Sequence, residues 1–152
     1  MPMGTEESST GGGSMREILY RGMLSHKKKW VEGNLIISNQ GKPYIYPKDL
    51  IEQDGHHLRF DTDEAFWVIP ETVGEYTGIL DKNGMKVFEG DILRYGDFND
   101  QPEPYIEIGV VEWDEKKAAF IIYDETLDVI FTYPNFEIIG NIHDNPELLE
   151  KE

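Results

Sequence analysis

Two carboxylates separated by a single glycine form a candidate catalytic pair in this sequence. Glu89 and Asp91 flank Gly90, and in an extended chain side chains two positions apart lie on the same face. Such a pair could act as general acid and general base if burial raised the pKa of one carboxyl group. The same tripeptide suits a turn, because glycine accepts unusual backbone angles and aspartate accepts hydrogen bonds from the turn backbone. We favour the turn, so the sequence predicts no catalytic residues and no enzyme.

Candidate metal ligands occur in several short stretches, but their spacing matches no known site. The stretch that begins at Asp97 is similar to the start of a calcium loop, yet Pro102 stands where that loop needs glycine and Ile108 where it needs glutamate. Phosphate-binding glycine motifs are also absent. The sequence therefore predicts neither a metal site nor a cofactor. The other candidate ligands are isolated or adjacent in the chain: His26, His56, His57, Asp61, Asp63, Glu64 and His143.

Charge and composition exclude several classes of protein. The 152 residues carry 30 Asp and Glu against 14 Lys and Arg, a formal net charge of −16, and no cysteine. A disulfide scaffold, a thiol nucleophile and a Cys-ligated metal are therefore excluded. Residues 89–152 hold 17 acidic and 4 basic side chains. This half must repel nucleic acid, because binding requires cations that displace the phosphate counterions.

The acidic half has one functional interpretation and two structural ones. It could be a solubilising surface, or it could imitate the phosphates of DNA and occupy a DNA-binding partner. Charges at both ends of the apolar run Ala118–Tyr123 also suit gatekeepers against aggregation, and Lys116 and Lys117 interrupt the acidic series. The residues that would form a partner-binding acidic face are Glu112, Asp114, Glu115, Asp124, Glu125 and Asp128.

Short apolar runs separated by turn residues predict a mainly β protein. Asn83 and Gly84 suit a type I′ hairpin turn, which requires positive φ at both positions. A strand is expected over residues 129–133, and a short C-terminal helix begins at Asn145 with proline at its first position. The stretch from about residue 74 to residue 142 could close as a small SH3-type barrel. The three tryptophans lie in apolar strands, so core or half-core packing is expected.

The chain divides into three parts. Residues 1–14 are polar and glycine-rich, as in a disordered tail or an extension ahead of a start at Met15. Residues 15–72 form an N-terminal β region with a variable insert at 37–65, and residues 73–152 form the SH3-like barrel region. The longest apolar run has six residues, too few to cross a bilayer. We therefore expect a cytoplasmic protein that contacts no membrane.

Several segments of the sequence together resemble the YopX family of bacteriophage and prophage proteins. The central block runs from Val68 to Gly84 and continues through residues 87–93. The resemblance implies a phage-encoded, mostly β protein with an SH3-type barrel, expected in a bacterial host, and it supplies no catalytic residues. Further matching segments are residues 16–18, 21–22, 30–33, 109–111 and 137–149.

A barrel signature without a catalytic constellation predicts a non-enzymatic accessory protein. We expect it to bind another protein through a groove or a sheet edge, and self-association through paired edges is a further expectation. The alternative is an acidic DNA-mimic inhibitor of a host nucleic-acid-binding protein. A hydrolase with a metal held by carboxylates is the third class.

Overall fold

The structure is a computed structural model that describes residues 15–48, 66–97, 105–133 and 135–150. Within these ranges the chain is mainly β, as the sequence predicts, with antiparallel pairing throughout. The strands are β1 (Tyr20–Met23), β2 (Trp30–Ile37), β3 (Pro43–Pro47), β4 (Gly74–Leu80), β5 (Lys86–Phe88), β6 (Asp91–Asp97), β7 (Tyr105–Val110), β8 (Glu112–Asp114), β9 (Ala119–Ile122), β10 (Glu125–Thr126) and β11 (Glu137–Asn141). The helical elements that lie wholly within the described ranges are two 3₁₀ turns, Pro70–Thr72 and Pro146–Leu149, and α1 (Leu127–Ile130).

The strands form three sheets. The first has the order β3-β2-β1-β4-β5, the second β11-β6-β7 and the third β10-β9-β8. The first sheet therefore combines strands from both sides of residue 73. None of the three closes into a barrel within the described residues, so the SH3-type barrel predicted for residues 74–142 is not confirmed.

Three groups of buried side chains hold the sheets together. One group, around Leu24, Ile45 and Val68, lies under β1 to β3. A second, smaller group consists of Leu19, Tyr76 and Phe88. Burial of each such side chain stabilises the fold by about 1.5–3 kcal/mol. The largest group packs the second sheet against the third sheet and α1: Val87, Leu93, Tyr95, Val111, Ile122, Leu127, Ile130 and Phe136.

The β4–β5 hairpin forms where the sequence predicts it, but with another turn. Gly84 has a φ of 82°, whereas Asn83 is not at positive φ. The Gly84 N–H donates to the carbonyl oxygen of Asp81 at 2.9 Å, and the Asp81 N–H donates to Met85 at 2.8 Å. The expected type I′ turn is therefore wrong, and a three-residue loop that ends in a left-handed glycine takes its place.

The Asp81 carboxylate determines this turn and fastens it to β11. Its Oδ1 accepts the N–H groups of Asn83 and Met85, both at 2.9 Å, and its Oδ2 accepts the N–H of Ile138 at 3.0 Å. We expect Asp81→Ala to lower the free energy of unfolding by about 2 kcal/mol, because hydrogen bonds to a charged acceptor are lost. Urea denaturation measures this change. Asp81→Asn keeps one acceptor oxygen and should lose less, and equal losses would contradict the assignment.

A helix replaces the strand predicted for residues 129–133. Leu127 and Ile130 are three positions apart, and both are buried in α1, with 6% and 1% of their surfaces exposed. The strand prediction was wrong because this spacing suits one helical face rather than alternation. The C-terminal helix signal is confirmed as a 3₁₀ turn with Pro146 at its start, although the Asn145 side chain does not cap it.

Several sequence predictions lie outside the described residues. These are the tail at residues 1–14, most of the calcium-like stretch at 98–102, and the part of the insert from residue 49 to residue 65. His56, His57, Asp61, Asp63 and Glu64 belong to that last segment. The part of the insert that is described forms the end of β2 and all of β3.

Candidate functional site

A buried ion pair joins the first sheet to the second. Arg21 lies on β1 and Asp91 is the first residue of β6, with Nη2 and Oδ1 2.8 Å apart. The side chains are 13% and 3% exposed. The Phe88 N–H also donates to Asp91 Oδ2 at 2.7 Å. Burial raises the pKa of the Asp91 carboxyl group, while the guanidinium and the Phe88 N–H act in the opposite direction.

Two aromatic rings enclose the guanidinium. The Cζ atom of Arg21 lies 4.9 Å from the ring centre of Trp30 and 4.9 Å from that of Phe88. Both distances fall within the range of cation–π attraction. Arg21 is therefore held by β1, β2, β5 and β6 together, which makes it a fixed point between the two sheets.

The corner after β11 completes this arrangement. Asn141 Oδ1 accepts the N–H groups of His143 and Asp144, both at 2.9 Å, which orients the corner. Trp30 Nε1 then donates to Asp144 Oδ2 at 2.9 Å, and this bond is the main cause of the lowered pKa of Asp144. The ring of His143 lies 5.8 Å from that of Trp30. Burial, and then the charge of Arg21, lower the pKa of His143.

Arg21 lies between two cavities that together form a trough. Each has a volume of about 390 Å³, and both are lined by Arg21, Glu32 and Asn141. The first lobe lies between β5 and β11, both of which are edge strands of their sheets. Lys86 and Phe88 line it from β5 and Met85 from the turn before that strand, whereas Ile138, Gly140 and Asn141 line it from β11. The second lobe includes Lys29, Trp30, Val31, Pro47, Lys48 and Asp144.

Basic charge is concentrated in residues 15–48, three of whose basic side chains, Arg21, Lys29 and Lys48, line the second lobe. Residues 15–48 contain seven of the 14 basic side chains of the chain and only two of its 30 acidic ones. Their formal charge of +5 contrasts with the net charge of −16. Sequence reasoning divided the charge at residue 88 and averaged this segment with acidic neighbours, so the basic region was missed. A finer window could have found it.

Glu89 and Asp91, the two carboxylates that flank Gly90, serve the structure of the turn. Gly90 has a φ of 96°, as the predicted turn requires, and Asp91 is committed to Arg21 and Phe88. Burial raises the pKa of Glu89, with a smaller contribution from the charge of Glu75. The two neighbours of Gly90 therefore have different partners in this turn.

The six acidic residues proposed as a partner-binding face lie in two places. Register in the third sheet puts Glu112 and Asp114 on the face opposite to Glu125. Two of the six serve local structure: Asp114 Oδ1 accepts the N–H of Lys116 at 2.9 Å, and Asp128 contacts the Thr126 hydroxyl. Asp124 lies in the turn after β9, and Glu125 and Asp128 follow it in β10 and α1, whereas Glu112, Asp114 and Glu115 belong to β8 and the following turn.

The structure brings two of the histidines to one cavity and exposes one of the three tryptophans. His26 and His143, which have no companion in sequence, line one cavity of about 410 Å³. Trp30 and Trp67 are half-buried as expected, but Trp113 is 45% exposed and packs edge-on against Phe120.

Metal-binding and membrane-spanning features are limited in the described ranges. There, no three His, Cys, Asp or Glu side chains approach one another closely enough to hold a metal ion. None of the helices in these ranges has the length and apolar character needed to cross a bilayer.

These features define a mainly β protein in which a buried ion pair lies between two halves of a trough. A family model described as YopX protein matches residues 19–150, so the chain belongs to the YopX family. A similar solved structure is the crystal structure of protein EF1440 from Enterococcus faecalis. Its TM-score is 0.55 at 22% identity, and the match covers 90% of this chain and 100% of that chain. No curated protein matches the chain significantly.

Proposed function

We propose that this protein is a non-enzymatic accessory protein that binds an extended segment of a partner protein in the trough. The supporting observation is that two cavities of about 390 Å³ each meet at a fixed Arg21, with edge strands on both sides of the first lobe. The resemblance to phage and prophage proteins supports a bacterial cytoplasm as the setting.

Edge strands are suited to bind an extended chain. Within the described residues, β5 and β11 each pair with one neighbour only. The N–H groups of Phe88, Ile138 and Asn141 already donate to side-chain oxygens, so an added strand would pair with the remaining backbone groups of these edges. Recognition by strand addition takes its affinity from main-chain hydrogen bonds and its specificity from pockets for alternate side chains. The trough provides both features.

The two lobes differ in the side chains that they would accept. Met85, Phe88 and Ile138 give the first lobe an apolar part beside its polar lining. Lys29 and Lys48 make the second lobe basic, with Trp30 between them and the ion pair. A partner segment with an apolar side chain followed by an acidic one would match this order.

Affinity capture from a bacterial host lysate with the tagged full chain tests the proposal. We expect a partner that is retained at both low and high salt, because apolar and main-chain contacts are weakly screened. Met85→Asp places a carboxylate in the first lobe and should weaken binding about tenfold or more. Ile37→Asp is the matched control, since Met85 and Ile37 are 60% and 57% exposed and only Met85 lines the trough.

Hydrogen exchange of the complex locates the bound segment. Slower exchange of the amides in β5 and β11 is expected when a strand is added there. Equal binding by the Met85 and Ile37 variants, or protection elsewhere, would contradict the trough. A nucleic-acid-binding partner recovered only at low salt, and lost when Asp124, Glu125 and Asp128 become amides, would favour the DNA-mimic function instead.

A further inference from the structure

The turn between β1 and β2 forms a basic knuckle, which we define as His26, Lys27 and Lys28. All three side chains are exposed, and they line the cavity of about 410 Å³ that lies beside the trough. Met23, Leu24 and Ile69 also line this cavity and give it an apolar part. Asp144 lines the same cavity, but its carboxylate already accepts the Trp30 Nε1–H, and the two lysines outnumber it. An apolar recess with this border fits an apolar side chain accompanied by carboxylates.

A surface with the opposite properties lies on the same chain. We define the acidic ridge as residues 123–131, which contain three acidic and no basic side chains. Tyr123, Val129 and Phe131 are 62%, 43% and 55% exposed. Exposed apolar side chains accompanied by charges are typical of interaction sites. The acidic members of the ridge are Asp124, Glu125 and Asp128, all of them exposed.

The ridge is held in place by the core beneath it. Leu127 and Ile130 are buried in the large core group, and the Tyr123 hydroxyl donates to the carbonyl oxygen of Ile108 at 2.6 Å. The knuckle adjoins Leu24, which belongs to a different core group. Two separately anchored surfaces of complementary charge and matching apolar character are therefore present on each copy.

We propose that two copies of this protein associate head to tail, with the acidic ridge of one copy bound at the basic knuckle of the other. The contact is heterologous, because two different surfaces meet, and it can therefore extend into a ring or a chain. The net charge of −16 repels copies at long range, but at physiological salt charges are screened beyond about 8 Å. The local charges at the contact then determine which surfaces meet.

Sedimentation velocity of the full chain over a range of concentrations tests this proposal. Lys27→Glu/Lys28→Glu should weaken self-association about tenfold or more, because like charges would face each other across the contact. Asp124→Lys/Glu125→Lys should weaken it similarly. This second result separates local contacts from general repulsion between copies. The substitution lowers the net negative charge of each copy, so general repulsion alone would predict tighter association instead of weaker association.

Mixing the two variants gives the sharpest result. The first variant keeps an intact ridge and the second an intact knuckle, and the two reversed surfaces are complementary to each other. A mixture should therefore re-form the contact and assemble with alternating copies, although neither variant assembles alone. Two control variants make the same charge changes outside both surfaces and should associate like the wild type: Lys116→Glu/Lys117→Glu and Glu147→Lys/Glu150→Lys.

Several outcomes would overturn head-to-tail association. They are a wild-type chain that stays monomeric at every concentration, variants that fail to pair when mixed, and association that strengthens with salt. A monomer that binds single-stranded nucleic acid through Lys27 and Lys28 would also overturn it and assign the knuckle to phosphates. None of the substituted residues lines the trough, so the outcome is independent of partner binding there.

Discussion

Replacing Arg21 by methionine should lower the free energy of unfolding by about 3–5 kcal/mol, because it leaves the Asp91 carboxylate buried without its counter-charge. Asp91 is only 3% exposed at its side chain, so water cannot take the place of the guanidinium. The substitution also removes the cation from between Trp30 and Phe88, 4.9 Å from each ring centre. Urea denaturation at neutral pH measures the change.

The loss should depend on pH with a definite sign. Burial already raises the pKa of Asp91 above its ordinary value of 3.8, and Arg21 opposes that rise. Without Arg21 the folded-state pKa rises further, so the folded variant binds a proton more readily than the unfolded chain does. The destabilisation relative to the wild type is therefore complete above the folded-state pKa of the variant, and it decreases as pH falls from there towards the lower folded-state pKa of the wild type. Denaturation of both proteins at successively lower pH should show the difference between them shrinking.

A double variant separates the charge from the packing. Arg21→Met/Asp91→Asn contains no uncompensated charge and keeps an oxygen that can accept the Phe88 N–H. It also removes the Arg21 Nε–H, which is buried without an acceptor among the described residues. We expect it to recover much of the stability lost by Arg21→Met. A double variant as unstable as the single one would show that the ring contacts, rather than the ion pair, stabilise this junction.

The sequence reveals the parts of this fold that depend on local chemistry. Gly84 and Asp81 specify a turn within five residues, so the hairpin is predictable even though the turn type is not. The type was missed because a carboxylate that binds two backbone N–H groups competes with the intrinsic preference of Asn83. Similarly, Leu127 and Ile130 lie on one helical face. A single helical turn is too short, however, for its apolar periodicity to be distinguished from that of a strand.

The candidate site depends on contacts that no local pattern contains. Arg21 and Asp91 are far apart in sequence, as are Trp30 and Asp144, and each pair meets only because β1 and β6 belong to sheets that pack together. Asp91 was correctly assigned to a turn, yet its ionic partner could not be named. The trough likewise lies between the edges of two sheets. Nothing in the sequences of β5 and β11 indicates that they are edge strands.

Replacing Gly33 by alanine should be the most damaging small change in the first sheet. A Cβ atom at this position would lie 1.9 Å from the carbonyl oxygen of Tyr46 and 2.9 Å from the N atom of Lys48. Both are backbone atoms, so β2 and β3 must separate to accommodate the methyl group. Gly33 is the residue at which β2 changes its main partner, because β1 pairs with residues 30–33 and β3 with residues 33–37. We expect a loss of about 3 kcal/mol or more in the free energy of unfolding.

Gly41→Ala distinguishes this steric cause from the ordinary cost of replacing glycine. Gly41 has a φ of 83°, and a Cβ atom there would meet nothing within 4 Å. Its replacement should therefore cost only the left-handed backbone strain, about 1–2 kcal/mol. Hydrogen exchange should accelerate in β3 for the Gly33 variant alone, because only that change separates the strands. Equal losses for both variants would mean that β3 shifts to admit the methyl group, and that the second lobe of the trough, which includes Pro47 and Lys48, is deformable rather than fixed.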